Sequence, residues 1–277
     1  MKTAVVVDST TKLRKDFHTD IEIYTIPVRV FINDEELEDS DDITDKILEA
    51  IEKGEKVETS LPRVDVVEKT FHELHKKYDA VYVLSISSLL SGTYNLFYTI
   101  ANKYENVFVF DSKSVSIQNT YVLERMLKDI ELGKKIEEDD IISYRDDSLF
   151  LIAVFDVTQL QKSGRIGKIT SVLGKMLHVK PILTIARNGE VQLVQKAIGI
   201  KKVKEVIKEK AEEFVEKARK KEKGIRIYAA VGKEDYKDFI YEVAQLYDVK
   251  PYFVDIGPAV TTHVGKEGFG ILLGLDF

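Results

Sequence analysis

The chain has 277 residues, of which 44% are hydrophobic and 32% are charged, and its formal net charge is -6. This is the composition of a globular protein with enough chain for one large domain or two ordinary ones. The negative balance excludes the chain-wide basic field with which proteins bind nucleic acid. The sequence contains no cysteine, which excludes disulfides, thiolate nucleophiles, zinc–thiolate sites and iron–sulfur clusters.

Hydrophobic runs along the chain are short. The longest spans residues 149–155, whereas a transmembrane helix takes about 20 apolar residues. The apolar stretch near the amino terminus is also shorter than the hydrophobic region of a signal peptide. We therefore expect a cytoplasmic protein without a transmembrane segment.

Short β-branched runs alternate with longer amphipathic segments. Strands are predicted at residues 3–7, 81–84, 107–110, 149–154, 182–185, 225–231 and 252–254. Helices are predicted at residues 41–53, 63–78, 93–104, 115–132, 200–223 and 235–247. This alternation is typical of mostly parallel sheets covered by helices on both faces. The predicted fold class is therefore α/β.

A polar, charge-rich segment at residues 133–147 separates two blocks of predicted elements. Gly133 is a suitable end for the preceding helix, so we predict two α/β domains, at residues 1–147 and 148–277. A helix at 137–144 could belong to either domain. The extended stretch 21–32 could pair with a distant sheet.

Metal sites find little support in the sequence. The acidic run at residues 35–42 lacks the ligand spacing and the central glycine of a calcium loop, and acids before a helix also complement its dipole. His72 and His75 lie three residues apart on a charged helix, where a solvent-facing position is the commoner arrangement. We predict a charged surface at both places and no metal.

A hydroxyl-rich turn follows the predicted strand 81–84 and leads directly into a predicted helix; its hydroxyl side chains are Ser87, Ser88, Ser91 and Thr93. The amino terminus of a helix favours an anion because its backbone N–H groups are unpaired and its dipole is positive there. Gly92 would let such an anion approach the backbone closely. A helix cap needs only one hydroxyl, so four of them favour a ligand site over simple capping.

A second hydroxyl-rich helix start occurs at Thr59 and Ser60, because Pro62 suits the first turn of the helix that follows. Loops at the carboxyl ends of parallel strands line one edge of a sheet, so the two helix starts could converge there. Asp8 and Asp111 also follow predicted strands at this edge. They could be catalytic or metal-binding, although hydrogen bonding within loops is the commoner use of such residues.

Familiar catalytic motifs are missing from the sequence, which has neither a phosphate-binding P-loop nor a G-x-S-x-G elbow. The glycines at residues 265–270 are in the wrong order and place for a dinucleotide fingerprint. His263 lies in a turn rich in glycine and threonine, where a ligand could come close to the backbone. A single histidine is otherwise more often structural.

Several short motifs occur together in a fixed order: Asp8-Ser9-Thr10, Thr59-Ser60-x-Pro62, residues 86–94, Phe110-Asp111-Ser112, residues 160–166 with 180–183, and His263. In this order the sequence resembles the DegV family of bacterial fatty-acid-binding proteins. The resemblance covers nearly the whole chain.

The resemblance implies a two-domain α/β protein that holds one long-chain fatty acid between or beside its domains and uses no cofactor. Hydroxyls and backbone groups would hold the carboxylate. In related proteins a partner fatty-acid kinase phosphorylates the bound fatty acid to an acyl-phosphate. The chain would then be a lipid-binding protein that presents a substrate, and not an enzyme by itself.

Carried over to matching positions, the resemblance makes Thr59 and Ser91 the principal carboxylate contacts, with Ser60, Ser88 and Gly92 beside them. Arg165 and His263 would lie near the head-group end. The sequence departs from the family pattern at two places, with Ser163-Gly164-Arg165 where two glycines usually precede the arginine, and residues 265–268 where a Gly-Pro-Gly turn usually follows the histidine.

Two other functional classes remain open at this point. A stand-alone esterase or phosphoryl-transfer enzyme would use the serines, Asp8, Asp111 and His263, although no complete nucleophile–base set is recognisable. A regulatory or scaffolding protein would have no defined cavity. A fatty acid needs one small polar anchor and an apolar tunnel, in which each buried CH₂ contributes about 0.8 kcal/mol.

Overall fold

The computed structural model describes residues 2–40, 43–165 and 179–277 of the chain. Its strands are β1 (Thr3–Asp8), β2 (Glu22–Ile26), β3 (Arg29–Ile32), β4 (Glu35–Glu38), β5 (Val57–Ser60), β6 (Ala80–Ser85), β7 (Val107–Asp111), β8 (Ser148–Val154), β9 (Val179–Ile185), β10 (Val191–Ile198), β11 (Ile225–Val231), β12 (Pro251–Phe253) and β13 (Gly268–Leu275). Its helices are α1 (Thr44–Glu52), α2 (Val64–Lys77), α3 (Thr93–Ala101), α4 (Ile117–Glu131), α5 (Glu138–Asp146), α6 (Thr158–Ser163), α7 (Gly199–Lys220), α8 (Lys237–Gln245) and α9 (Pro258–Val264).

A four-stranded parallel sheet forms the first half of the fold, in the order β2–β1–β6–β7. Every residue of β1 and β6 is buried, as expected for strands covered on both faces. Phe71 and Phe97, from α2 and α3, pack on one face of this sheet. Leu123 and Tyr144, from α4 and α5, pack on the other. The predicted α/β class is confirmed.

The second sheet has six strands in the order β10–β9–β8–β13–β11–β12. The prediction of mostly parallel sheets is wrong for it, because only the β11–β12 pairing is parallel among these described strands. Two causes contribute: β10 and β13 escaped prediction and pair antiparallel with their neighbours, and the predicted strands β8 and β9 are also antiparallel to each other. A tight hairpin joins β9 to β10, and Gly189 supplies the positive φ of 95° that the turn needs.

A small antiparallel sheet, β4–β3–β5, completes the strands that the structure describes. The stretch 21–32 therefore divides between two sheets, as β2 and β3. The acidic run begins as β4, whose Glu35 and Glu36 form surface ion pairs with Lys46 and Arg63. Asp39 departs from the predicted surface location: it is buried, and its Oδ1 accepts a hydrogen bond of 2.8 Å from the backbone N–H of Ala259 in α9.

The strands of the two large sheets lie in separate parts of the chain, with β7 ending at Asp111 and β8 beginning at Ser148. The first block nevertheless receives a contribution from the end of the chain, because Ala259 of α9 packs with Val28 and Ile47. The predicted domain boundary at residue 147 stays a prediction. No helix in the described part of the chain has both the length and the apolar composition needed to cross a membrane.

A buried ion pair joins the two blocks through α4. Arg14 Nε donates to Glu124 Oε1 at 2.6 Å, and the Tyr228 hydroxyl from β11 donates to Glu124 Oε2 at 2.7 Å. The Arg14 guanidinium also lies 3.7 Å from the centre of the Tyr252 ring. Burial raises the pKa of Glu124, while the hydrogen bonds from Arg14 and Tyr228 act in the opposite direction. The blocks therefore meet through a charged contact that depends on all its partners.

Removing one partner of the Arg14–Glu124–Tyr228 contact should destabilise the fold. Glu124→Ala leaves Arg14 buried without its main counter-charge, which costs about 3–5 kcal/mol of unfolding free energy. Asp16→Ala is the matched control, because Asp16 contacts the same guanidinium at 3.2 Å but is 61% exposed. Its expected cost is below about 1 kcal/mol. Urea unfolding of the two variants measures both values, and equal losses would contradict this account of the contact.

Candidate functional site

A largely apolar cavity lies between the two blocks, and we call it the main cavity. It contains about 780 Å³ of empty space, part of which is open to solvent. Aliphatic side chains of the six-stranded sheet form one wall, among them Ile152, Leu183, Ile185 and Val191. Its polar lining residues are Thr10, Thr59, Ser60, Ser91, Arg165 and His263.

The small sheet and α9 bring two of these polar residues together. Thr59 lies in β5, opposite Val30 of β3, and His263 lies in α9. Thr59 Oγ1 and His263 Nε2 are 2.8 Å apart, although the residues are separated by 204 positions in sequence. Ser60, next to Thr59, accepts a hydrogen bond of 3.0 Å from Arg29 Nη2.

The loop between β6 and α3 supplies Ser91. Its Oγ lies 2.8 Å from Thr93 Oγ1 and accepts a hydrogen bond of 3.3 Å from the Thr93 backbone N–H. Ser91 therefore helps to begin α3 and also lines the main cavity. One hydroxyl here serves both local structure and the cavity surface.

Two carboxylates hold this loop in place. Asp8 Oδ2 accepts a hydrogen bond of 2.7 Å from the Ile86 backbone N–H, and burial raises the pKa of Asp8. Asp111 accepts hydrogen bonds from the backbone N–H of Ser88 at 3.1 Å and from its hydroxyl at 2.6 Å. Both aspartates therefore have the commoner of the two roles considered, hydrogen bonding within loops.

The structure brings five of the seven candidate site residues to the main cavity: Thr59, Ser60, Ser91, Arg165 and His263. Ser88 and Gly92 are not among its lining residues. The Ser88 hydroxyl is directed to Asp111, and a Cβ added to Gly92 would lie 3.2 Å from the Leu61 side chain. Sequence reasoning also missed a contributor, Thr10, which follows Asp8 in one of the quoted motifs.

His263 is held in its neutral form. Burial is the larger cause and the positive charge of Arg165 the smaller one; together they lower the pKa of His263 from 6.5 to about 4. Its Nδ1 is buried and has no hydrogen-bond partner among the residues that the structure describes. A neutral imidazole and a threonine hydroxyl carry one N–H and one O–H between them, and their mutual contact uses only one of these donors. One donor of the pair therefore stays unused: the Thr59 O–H when Nε2 carries the proton, or the buried Nδ1–H when it does not.

A second, more polar depression meets the main cavity at Thr59, Arg165 and His263, and we call it the outer basin. It contains about 1190 Å³ of space, and Glu55, Glu58 and Lys162 also line it. Arg165 is exposed and follows Gly164, which ends α6 with a left-handed φ of 72°. Solvent therefore reaches the polar end of the main cavity through a basin that carries both signs of charge.

The described side chains do not complete a hydrolytic triad. Thr59 and His263 have the spacing of a nucleophile and a base, but no acid orients His263 from Nδ1. A histidine with a pKa near 4 is also a weak general base at neutral pH. In the same part of the chain, no three His, Asp or Glu side chains are grouped in a way that could hold a metal ion. The arrangement is suited to holding an acceptor group.

Comparison with known proteins identifies the family. The DegV family model, whose proteins are described as uncharacterised, matches residues 2–274. The chain belongs to the DegV family. A DegV domain-containing protein of Staphylococcus aureus is 28% identical over 278 residues, and the match covers 98% of each chain.

Solved structures of the DegV family share the fold. A DegV family protein of Thermus thermophilus, described by its fatty acid binding, has a TM-score of 0.89 and 26% identity, and the match covers 100% of both chains. The Fak B3 protein of Streptococcus pneumoniae fatty acid kinase, loaded with linoleic acid, has a TM-score of 0.83 over 100% of both chains. At 19% identity this second likeness supports the shared fold alone.

The lowered pKa of His263 makes a prediction about stability and pH. Below about pH 6.5 the unfolded chain binds a proton on this side chain that the folded chain does not bind until about pH 4. The contribution of His263 to the unfolding free energy is therefore present above pH 6.5 and is lost as the pH falls toward 4. As the pH falls over this interval, the unfolding free energy of the lipid-free wild-type protein should decrease more steeply than that of the His263→Gln variant.

The exposed His18 offers a matched control for that comparison. The His18→Gln variant should keep the steep wild-type profile. If His263→Gln has the same slope as the wild-type protein, then burial does not keep His263 neutral.

Proposed function

We propose that this DegV protein binds one long-chain fatty acid in the main cavity, with the carboxylate held by the Thr59 and Ser91 hydroxyls. The observation that carries the proposal is the Thr59–His263 pair at the polar end of a cavity whose other walls are mainly aliphatic. With the His263 proton on Nε2, the Thr59 hydroxyl is free to donate to a carboxylate. A fatty acid has this same division, with one acceptor group at the end of a hydrocarbon chain.

The charges around the polar end favour an anion there. Arg165 is near enough to His263 to lower its pKa, so its positive field reaches the head-group position. Neutral His263 brings no charge that would need to be neutralised when the site is empty. The hydrogen bond from Arg29 to Ser60 and the pairing of β3 with β5 hold the strand that carries Thr59. Hydrogen bonds to an ionised carboxylate are also shorter and stronger than neutral ones.

The aliphatic walls provide most of the driving force. Each buried CH₂ contributes about 0.8 kcal/mol, so a dozen carbons supply ample gross binding energy without a second charged anchor. The fatty acid binding described for the Thermus thermophilus protein supports the same ligand class for this chain. An esterase is less well supported, because the Thr59–His263 pair lacks an orienting acid.

We further propose that the bound fatty acid is presented to a fatty-acid kinase. The outer basin leaves the carboxylate end approachable from solvent, and Lys162 and Arg165 lie on its wall. In the reaction a carboxylate oxygen would attack the γ-phosphorus of ATP, the bond to the ADP oxygen would break, and an acyl-phosphate and ADP would result. This chain would contribute the position of the carboxylate, and the kinase would contribute the phosphoryl donor.

Removing the head-group hydroxyls should weaken fatty-acid binding. Each charge-assisted bond is worth about 1.5–3 kcal/mol, so Thr59→Val or Ser91→Ala should reduce affinity for oleic acid about ten- to a hundredfold. Fluorescent displacement on delipidated protein measures this affinity. Thr99→Val is a matched control, because its hydroxyl bonds only to the Asn95 carbonyl on the exposed side of α3.

Folding must be followed in the same variants. If Ser91 serves only as a cap for α3, its removal should cost about 1 kcal/mol of unfolding free energy and leave affinity unchanged. Unchanged affinity in Thr59→Val, in Ser91→Ala and in their double variant would remove both residues from the proposed site.

Presentation to a kinase makes a separate prediction. A purified fatty-acid kinase with ATP and oleic acid should form acyl-phosphate, trapped as the hydroxamate, only when this protein is added. Thr59→Val should lower the yield at limiting oleic acid, because less of the protein is loaded. Equal product without this protein would contradict presentation and would leave fatty-acid binding unaffected.

A further inference from the structure

A second apolar cavity adjoins the main one, and we call it the side cavity. It contains about 540 Å³ of space, part of it open to solvent, and Phe150, Ile117 and Ala230 are among its lining residues. The main cavity lies over β8, β9 and β10, whereas the side cavity lies over β8, β13 and β11. The two are therefore neighbours on the same face of the six-stranded sheet, on either side of β8.

Four aliphatic side chains line both cavities and separate them: Val115, Ile152, Val260 and Val264. All four are only half-buried, although they lie between the two blocks of the fold. Their exposure follows from the empty space on both sides. Aliphatic side chains make no hydrogen bonds, so moving them breaks none. Small changes in their side-chain torsion angles would therefore be enough to let a hydrocarbon chain pass.

The side cavity exists because small residues occupy the sheet beneath it. Ala230, Gly270 and Ile152 are cross-strand neighbours in β11, β13 and β8. A Cβ added to Gly270 would lie 3.2 Å from Phe150 and 3.5 Å from Ile117, both of which line the side cavity. Larger side chains at this row would fill the space that the cavity occupies.

The polar groups at the side cavity do not suit a second head group. Ser116 is 9% exposed, so little of it can be reached from the cavity. Glu267, the charged residue among the described lining residues, forms an ion pair with Lys233 and would repel a carboxylate. An uncharged hydrocarbon segment is the occupant that these walls accept.

We propose that the side cavity holds the distal carbons of a long acyl chain whose carboxylate is at Thr59 and Ser91. The chain would fill the main cavity first, turn at Ile152 and continue over β13 toward Ala230. The inference rests on the proposed fatty-acid function and adds a chain-length preference to it. Affinity then continues to rise with carbon number after the main cavity is full, and Ala230 and Gly270 set the limit.

The test compares saturated fatty acids of increasing length, from 10 to about 20 carbons, by fluorescent displacement on delipidated protein. Each buried CH₂ corresponds to about a fourfold gain in affinity. Ala230→Leu occupies the space of about three carbons, so affinity for the longest acids should fall about ten- to sixtyfold by the same relation. Affinity for the shortest acids should stay at the wild-type value.

Val191→Phe is the matched control, because Val191 lines the main cavity and not the side cavity. This variant should lose affinity for short and long acids alike. If Ala230→Leu does not fold, Gly270→Ala adds a single methyl to the same wall and tests the same limit.

Two failures can be told apart. A wild-type protein that binds no fatty acid overturns the proposed function, and this inference with it. If the wild-type protein binds fatty acids, and Ala230→Leu and Gly270→Ala show the same dependence of affinity on carbon number as the wild type, then only the proposed role of the side cavity is overturned.

Discussion

The six-stranded sheet borders an apolar space that side chains leave unfilled, and the fold has to hold the first block against this sheet without closing that space. Apolar voids lower stability because their walls lose packing contacts. Beside the apolar packing of Ile117 and Tyr121 on Phe150 and Leu272, polar contacts around the cavities join the blocks. Arg14, Glu124 and Tyr228 connect the blocks through α4. Arg145 donates to the Ile185 carbonyl at 3.0 Å and to the Lys113 carbonyl at 3.1 Å.

The loop that carries Ser91 depends on the same kind of support. Asp8 and Asp111 accept hydrogen bonds from its backbone N–H groups. The Ser87 hydroxyl donates a hydrogen bond of 2.9 Å to the Gly189 carbonyl of the β9–β10 hairpin. The serines of this loop therefore have different roles. Ser87 and Ser88 fix the loop, and Ser91 lies on the cavity surface. The sequence contains all three, but only packing decides which of them is available to a ligand.

The parts of the fold that sequence reasoning predicts are those with continuous apolar runs, such as β1, β6 and β11. The strand β13 is not predicted from the sequence, because three of its eight residues are glycines, and glycines weaken the residue pattern of a strand. At Gly274 the reason is packing, since a Cβ there would clash with the Tyr121 ring of α4. The close approach of α4 to the sheet thus removes the side chains by which β13 could be recognised.

The candidate site is predictable to a similar extent. Hydroxyls at helix starts follow from local rules of capping and anion binding, and they point to Ser91, two residues before α3. The predicted helix start at Thr59 and Ser60 is wrong, because both residues lie in β5 and α2 begins at Val64 after Arg63. The Thr59–His263 contact does not follow from local rules, because it needs the return of α9 to the small sheet through Asp39. The aliphatic walls come from three strands of a sheet whose order depends on β10 and β13. Such long-range pairings carry no local signal.

The helix α9 carries His263 at the polar end and Val260 and Val264 in the partition between the cavities. It has only seven residues, lies between Gly257 and Gly265, and is fixed to the first block by Asp39. One helix therefore contributes to the polar end of the main cavity and to the partition beside the side cavity. Substitutions in α9 should be non-additive with substitutions at either end, because residues that share an element shift together. In the proposed binding mode α9 contacts both the head group and the tail, so a substitution in α9 that alters the affinity for one should also alter the affinity for the other.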